Sequence, residues 1–384
     1  MTWTAKPLGD VLTFQRGFDI TKADQSPGPF WVISSSGPNS KHNQFKVKGP
    51  GVVIGRKGTL GTAFYSAADY WPHDTTLWVK DFHGNDQRFA YYFVQTMGFE
   101  KFDVGASNPT LNRSHIHVLP VRWPDSLGTQ RRIASILCAY DDLIENNTRR
   151  IAILEEMARR IYEEWFVRFR FPGHEGVRMV ESELGLVPES WSVQGLYDVA
   201  DLTYGFPFKS NLFKEGGEGL GVIRIRDTRD DYTATRTTED VDLKYRVADG
   251  DILVGMDGAF HMGRWAGGVA WLNQRVVRLR PKARIPRSWL FWVTEEPIKT
   301  LEATIVGTTV AHLSARDLKE MRVLVPSKAV LEAAGSVLEP MSDLELTLKK
   351  KNAVLRVTRD LLLPKLISGE LDVSAMPEPE ALAA

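Results

Sequence analysis

Apolar positions along this chain follow two periods. Ile133, Leu137, Tyr140, Ile144, Asn147, Ile151, Leu154, Ala158, Ile161 and Trp165 recur in steps of three and four, the spacing that puts side chains on one seam of a helix. Pro124 and Asp125-Ser126 supply its start and Phe171-Pro172-Gly173 its end. A second such run follows Pro326 through Val337, Met341, Leu344, Leu348, Leu355 and Leu362 towards Pro364 and Gly369. One polar residue interrupts each seam: Asn147 in the first, Lys351 or Asn352 in the second. Such a residue either fixes helix register at some cost in stability or marks a solvated kink. Neither helix is apolar all round, so each needs a partner, and the other helix is the natural one. Elsewhere the texture is β: short runs rich in Val, Ile, Trp and Thr, broken by Gly, Pro and Asn, as in VVIGRKGTLGTAFY and TTLWVK. One aromatic helix interrupts the strands around 87–99 and another around 287–301. The stripe Phe89, Tyr92 and Phe93 suits helix-on-sheet packing better than base stacking.

The two regimes occur twice because the chain repeats itself. Trp3, Leu8, Asp10 and Val11 return at a constant offset as Trp191, Leu196, Asp198 and Val199, and Gly17-Phe18 as Gly205-Phe206. After an insertion, Val52-Val53-Ile54-Gly55 matches Ile252-Leu253-Val254-Gly255, Trp71 matches Trp271, and Phe89–Phe93 matches Trp289–Val293. Gly105, Leu111, Ile116, Val121 and Pro124 meet Gly307, Leu313, Leu318, Val323 and Pro326. A collinear ladder of this kind is the mark of a duplicated unit. The expected fold is α+β: two mostly-β heads, related by a pseudo-two-fold and separated by two long antiparallel coiled-coil helices. The expected boundaries are a first head over 1–124, a helix over 125–171, a linker over 172–190, a second head over 191–326, a helix over 327–371 and a disordered tail over 372–384.

Composition narrows the class. The 384 residues are 43% hydrophobic and 25% charged, which suits soluble globular heads. The single Cys138 excludes an internal disulfide framework and fits a reducing compartment. The N-terminus MTWTAKPLGD lacks the apolar core of a signal peptide, and no apolar run approaches a membrane span. The expectation is a cytoplasmic protein without a membrane partner. Net charge is zero, which counts mildly against a nucleic-acid partner without deciding it, because a basic face can be balanced by acidic residues elsewhere.

No catalytic or cofactor motif stands out. Asn108-Pro109-Thr110 lacks the second proline and the aromatic of an adenine-methyltransferase loop, and Gly217-Glu218-Gly219-Leu220-Gly221 has the wrong spacing for a dinucleotide. There is no Walker loop. Asp242-Leu243-Lys244 and Asp317-Leu318-Lys319 fit only the last element of a nuclease motif, and no histidine pair has metal-ligand spacing. The loops do carry side chains suited to DNA, since Arg bonds guanine bidentately, Asn bonds adenine, and Lys and Arg neutralise phosphates. In the first head these are Lys41, Arg56, Lys57, His73, Asn108, Asn112 and Arg113; in the second, Lys209, Arg224, Arg226, Arg229, His261, Arg264, Arg275, His312 and Arg316. The pairs Arg56/Met256, His73/Asn273 and Arg113/Ala315 fall at equivalent places. A protein–protein adaptor with two heads on a coiled coil explains the architecture equally, but not this loop content.

ENNTRRIAILEEMARRIYEEWFVRFRFPG, at 145–173, resembles the central conserved region of the specificity subunits of type I restriction–modification systems. LLLPKLISGELDV, at 361–373, is similar to the end of their C-terminal region, and LGLVPESW, at 184–191, to the entry into their second target-recognition domain. The resemblance spans essentially the whole chain, strongly in the helices and weakly in the heads. It implies that each head reads one half of a bipartite, asymmetric site on double-stranded DNA and that the helix pair sets the spacing. It also implies two modification subunits carrying the adenine-methylating site and S-adenosylmethionine, joined in such systems by restriction subunits that use ATP with Mg. No cofactor is expected in this chain.

Overall fold

The computed structural model describes residues 2–102, 110–305 and 311–377, and the chain divides into two units. The first comprises Met1–Ile144 with Leu355–Ala384, and the second Glu145–Val354. The repeat matches Gly105 and Gly307 lie outside the described residues.

In the first unit the chain runs β1 (Trp3–Pro7), α1 (Leu8–Val11), β2 (Thr13–Arg16), β3 (Phe30–Ser34), β4 (Gly37–His42), β5 (Gly51–Gly55), β6 (Ala63–Ser66), β7 (Tyr70–Pro72), β8 (Thr76–Asp81), α2 (Gln87–Gln95), α3 (Arg113–His117), β9 (Pro120–Pro124) and α4 (Leu127–Tyr162). The order β2-β8-β5-β6 makes an antiparallel sheet. Its inner strand β5 carries Val52, Val53 and Ile54, all fully buried, as expected of a strand covered on both faces. A second sheet, β4-β3-β7, pairs β3 parallel to β7. The aromatic stripe of α2 is core: Phe89 and Phe93 pack on Trp123 at ring distances of 5.1 and 4.6 Å. Ile133 and Leu137 of α4 join the same core, as do Leu366 and Ile367 near the end of the chain. Val373 is buried there as well, so ordered packing reaches into the segment expected as tail, and 378–384 lie outside the described residues.

The second unit repeats this order with additions. It contains β10 (Met179–Ser182), β11 (Gly185–Pro188), β12 (Ser192–Gly195), α5 (Leu196–Val199), β13 (Ala200–Tyr204), β14 (Lys214–Glu215), β15 (Leu220–Ile223), β16 (Thr235–Thr237), β17 (Arg246–Val247), β18 (Ile252–Gly255), β19 (Met262–Arg264), β20 (Ala270–Leu272), β21 (Val276–Pro281), α6 (Arg287–Ile305), α7 (Ala315–Glu320), β22 (Arg322–Val325) and α8 (Lys328–Ser368). The sheet β13-β21-β18-β19 mirrors β2-β8-β5-β6, and the parallel pair β15–β20 mirrors β3–β7. β16 pairs antiparallel with β15 as β4 does with β3, and the short strands β14 and β17 widen this second sheet to five strands. The stretch expected as a plain linker folds into the hairpin β10–β11.

The two long helices pair antiparallel within the second unit: Asn147 meets Asn352, and Glu155 lies beside Glu345. In the first unit Asp141 meets Arg359 at 2.5 Å. The polar interruptions of the two seams are therefore partners: Asn147 Nδ2 donates to Asn352 Oδ1 at 2.9 Å, with both side chains buried. That settles the sequence alternatives in favour of a register pin, because a slip would bury one amide without its mate. The seam of α8 differs from expectation at one level. Leu344 is 38% exposed, and the inward position belongs to Glu345 at 3%.

The tryptophans that open each repeat receive helix ends. Phe166, Phe169 and Phe171, beyond α4, surround Trp191 at ring distances of 5.9, 5.3 and 5.3 Å. Gly369, just past α8, adopts φ +78°, and a Cβ there would lie 2.6 Å from the Trp3 ring, so only glycine fits this left-handed stop. Among the described residues no helix is long and apolar enough to cross a membrane.

Candidate nucleic-acid interface

Three loops of the first unit are stitched together by backbone hydrogen bonds. Arg56 N and Lys57 N donate to Thr75 O at 2.8 and 3.1 Å, and Leu111 N donates to Arg56 O at 2.9 Å. Gly55 is required where β5 enters this turn, since a Cβ would sit 1.9 Å from Thr59 O. The second unit repeats the stitching with other residues: Met256 N donates to Arg275 O at 2.9 Å and Leu313 N to Met256 O at 2.8 Å. Isolated bridges recur as well, Phe18 with His73 and Phe206 with Asn273, Lys57 with Thr110 and Asp257 with His312. Arg113 and Ala315 each begin the short helix that follows. One backbone frame thus carries two different sets of side chains.

In the first unit this frame brings together Arg56, Lys57 and His73, with Asn112 and Arg113 on the adjoining segment. Arg56 Nη1 donates to the carbonyl of Asp74 at 3.4 Å. Burial and the nearby Arg16 guanidinium lower the Arg56 pKa, against the pull of Asp74. Arg16 was not singled out in the sequence, and its Nη2 lies 2.8 Å from Asp74 Oδ2. His73 is a structural strut: Nδ1 lies 2.9 Å from Thr75 Oγ1 and Nε2 lies 3.2 Å from Ile20 O. Asn112 caps α3, accepting from Ser114 N at 3.2 Å, while Arg113 is exposed. Lys41 is exposed at the far end of the β3–β4 hairpin, its ammonium 4.6 Å from the Trp31 ring centre. Asn108 lies outside the described residues.

In the second unit Arg275 and His312 converge on Asp257, at 3.3 and 2.5 Å. Arg229 Nη2 lies 3.0 Å from His261 Nδ1, and burial together with that guanidinium lowers the His261 pKa. Arg224 and Arg226 flank Asp227, each Nε within 3.7 Å of its carboxylate. Arg316 is exposed on α7 beside Glu320 at 2.7 Å. Lys209 is exposed, and its backbone N–H donates to Glu239. Arg264 leaves the set. It is 6% exposed on β19, ion-paired with Glu345 of α8 and 4.4 Å from the Phe291 ring centre. An arginine so enclosed holds a head against a helix and cannot reach a base edge.

Among the described residues, the one cluster spaced like a metal site is a poor fit. Asp19, His73 and Asp74 bring one ligand atom each within 4.8 Å of one another, but both ring nitrogens of His73 are already engaged. The cleft lined by Asp249, Asp251, Arg280, Arg287 and Glu339 has its charges paired: Arg280 with Asp251 at 2.7 Å, Lys350 with Asp249 at 2.7 Å and Arg287 with Asp343 at 2.6 Å. What the loops offer is hydrogen-bond donors on a rigid frame, a surface for recognition.

Comparison with known proteins agrees with that reading. Residues 1–156 and 188–356 match the family described as type I restriction modification DNA specificity domain. The type I restriction enzyme MjaIX specificity subunit of Methanocaldococcus jannaschii is 23% identical over 304 residues, covering 75% of this chain and 70% of that protein. The EcoBI specificity subunit of Escherichia coli is 28% identical over 190 residues, covering 48% of this chain and 40% of its own length. The crystal structure of a type I restriction–modification S subunit from M. genitalium shares the fold, with a TM-score of 0.64 at 17% identity over 95% of this chain and 96% of that one. The chain belongs to the type I restriction–modification DNA specificity family, whose domain it carries twice.

Proposed function

We propose that this chain is the non-catalytic specificity subunit of a type I restriction–modification complex and that its two loop clusters read the two halves of an asymmetric site on double-stranded DNA. The first target-recognition domain spans 1–124 and the second 191–326. One observation carries the reading: the same stitched loop frame presents Arg56-Lys57 in one unit and Met256-Asp257 in the other. Two copies that read different bases need a shared frame and unlike side chains. Conserved contacts to one common partner, as in an adaptor, would favour like side chains.

Two modification subunits bind the helices and bring S-adenosylmethionine and the adenine-methylating site; restriction subunits, where present, add ATP and Mg. Ile153 and Met157 of α4 and Val354, Val357 and Leu361 of α8 support such docking, since they are exposed apolar residues at helical spacing outside the inner seam. The zero net charge fits a chain whose DNA affinity is completed by its partners' surfaces. The complex works in the cytoplasm.

The helices set the gap between half-sites. Inserting seven residues into each of α4 and α8, at the level of Asn147 and Asn352, preserves the seam and adds about 10 Å, roughly three base pairs. Mapping methylated adenines made by the reassembled complex should show the gap lengthened by that amount with both half-sites unchanged. An active complex with the original gap contradicts the spacer role.

A further inference from the structure

Each loop cluster sets a carboxylate among its cations. Facing a polyanion, a carboxylate is repelled and lowers affinity, so its presence there calls for a reason. In the second unit Asp257 Oδ1 accepts from His312 Nδ1 at 2.5 Å, and Oδ2 lies 3.3 Å from Arg275 Nε. In the first, Asp74 Oδ2 lies 2.8 Å from Arg16 Nη2, Oδ1 lies 3.1 Å from His73 Nδ1, and the carbonyl accepts from Arg56 Nη1. Both carboxylates are less exposed than the arginines they hold, at 28% against 54% for Asp257 and Arg275, and 16% against 53% for Asp74 and Arg16.

We propose that Asp257 and Asp74 are positioning residues that aim the arginines beside them at base edges, so that each unit's sequence preference depends on its own carboxylate. The proposal rests on the reading that these loops face DNA. Arginine carries five donors in a fixed fork. Asp257 engages Nε of Arg275 and leaves both terminal amino groups for the bidentate contact that guanine O6 and N7 accept. The same carboxylate only accepts, so Nδ1 of His312 carries the proton and Nε2 is the ring atom left to meet DNA. The backbone under Asp257 is held on both sides, by Gly258 N donating to Ala311 O at 2.9 Å and Leu313 N donating to Met256 O. Exposed ion pairs add little to stability, so these contacts are better suited to orienting side chains than to holding the fold.

The test is selection from randomised duplex DNA by the assembled complex carrying the wild-type chain, Asp257→Asn or Asp74→Asn. Asp257→Asn should lower discrimination about tenfold at one or two adjacent base pairs of one half-site, with assembly and the other half-site unchanged. Asp74→Asn should do the same in the other half. Arg275→Gln alone should reproduce the Asp257→Asn loss, and combining them should add nothing further. Unchanged discrimination in Asp257→Asn overturns the proposal, as do equal losses in both halves or a failure to assemble. A wild-type complex with no sequence preference overturns the underlying reading instead.

Discussion

Replacing Arg264 by methionine lowers the unfolding free energy of the second unit by about 3–5 kcal/mol, read from urea unfolding of the full chain by tryptophan fluorescence. The substitution strands Glu345, which is 3% exposed and whose ion-pair partners are Arg264 and, at 3.2 Å, Lys349. Lys349 also faces Asp231 at 3.4 Å and cannot fully cover both acids. Burial opposes the charge on Lys349, but Asp231 and Glu345 outweigh it and hold the ammonium above its ordinary range. Burial, then the neighbouring Glu345 carboxylate, raises the pKa of Glu155. Because that folded value exceeds the unfolded one, the Glu155 contribution is full below the ordinary glutamate range and is lost as pH rises through the raised value. Replacing Arg264 and Glu345 together by methionine and leucine should be close to neutral, since a well-packed apolar pair avoids desolvating charges. A neutral Arg264→Met single variant, or a destabilised double variant, contradicts this picture of the joint.

The second large effect is on recognition. Substituting Arg56 and Lys57 together by alanine should cost one half-site about 10- to 100-fold in discrimination, because each good base contact contributes roughly 1–3 kcal/mol. The other half-site keeps its preference, and the dependence of affinity on salt flattens by about one unit of log–log slope for each phosphate that is no longer neutralised. Competition binding by the assembled complex, at several salt concentrations and with each half-site varied in turn, checks both. A loss spread evenly over the whole site would mean that this cluster does not read one half.

The duplication and the long helices were legible because apolar periodicity is a local signal that survives when surface residues change. The sequence placed Ile133, Leu137, Ile144 and Ala158 on the seam of α4, and all four are buried. It left the role of the polar interruptions open, and the hydrogen bond between Asn147 and Asn352 resolves it. The seam of α8 misled at Leu344. Hydrophobicity favoured leucine, but Glu345 turns inward because Arg264, distant in sequence, waits there. A pairing of that kind has no periodic trace, although an arginine ending the strand Met262–Arg264, next to the buried Trp265, was a signal that could have been read. The hairpin β10–β11 was also readable, since Met179-Val180 and Leu186-Val187 flank the turn Glu183-Leu184, which Gly185 closes at φ +92°.

The candidate site was legible as residue types and not as partnerships. Arg56, Lys57, Arg275 and His312 were named from their chemistry, whereas Arg16, Asp74 and Asp257 emerge only where the loops meet. His73 is the converse case: its imidazole suits base contact, and its two nitrogens already meet Thr75 Oγ1 in its own loop and Ile20 O in another. Hydrogen-bonding capacity can be read from a sequence; whether it is already spent depends on how loops far apart in the chain come together.

Bipartite reading of DNA stands or falls on the sequence profile that the reassembled wild-type complex selects from randomised duplexes. Two short, unlike blocks of preferred bases should emerge, separated by an unselected gap of fixed length. A single contiguous block, two identical blocks, or no enrichment at all would contradict recognition by two unlike heads.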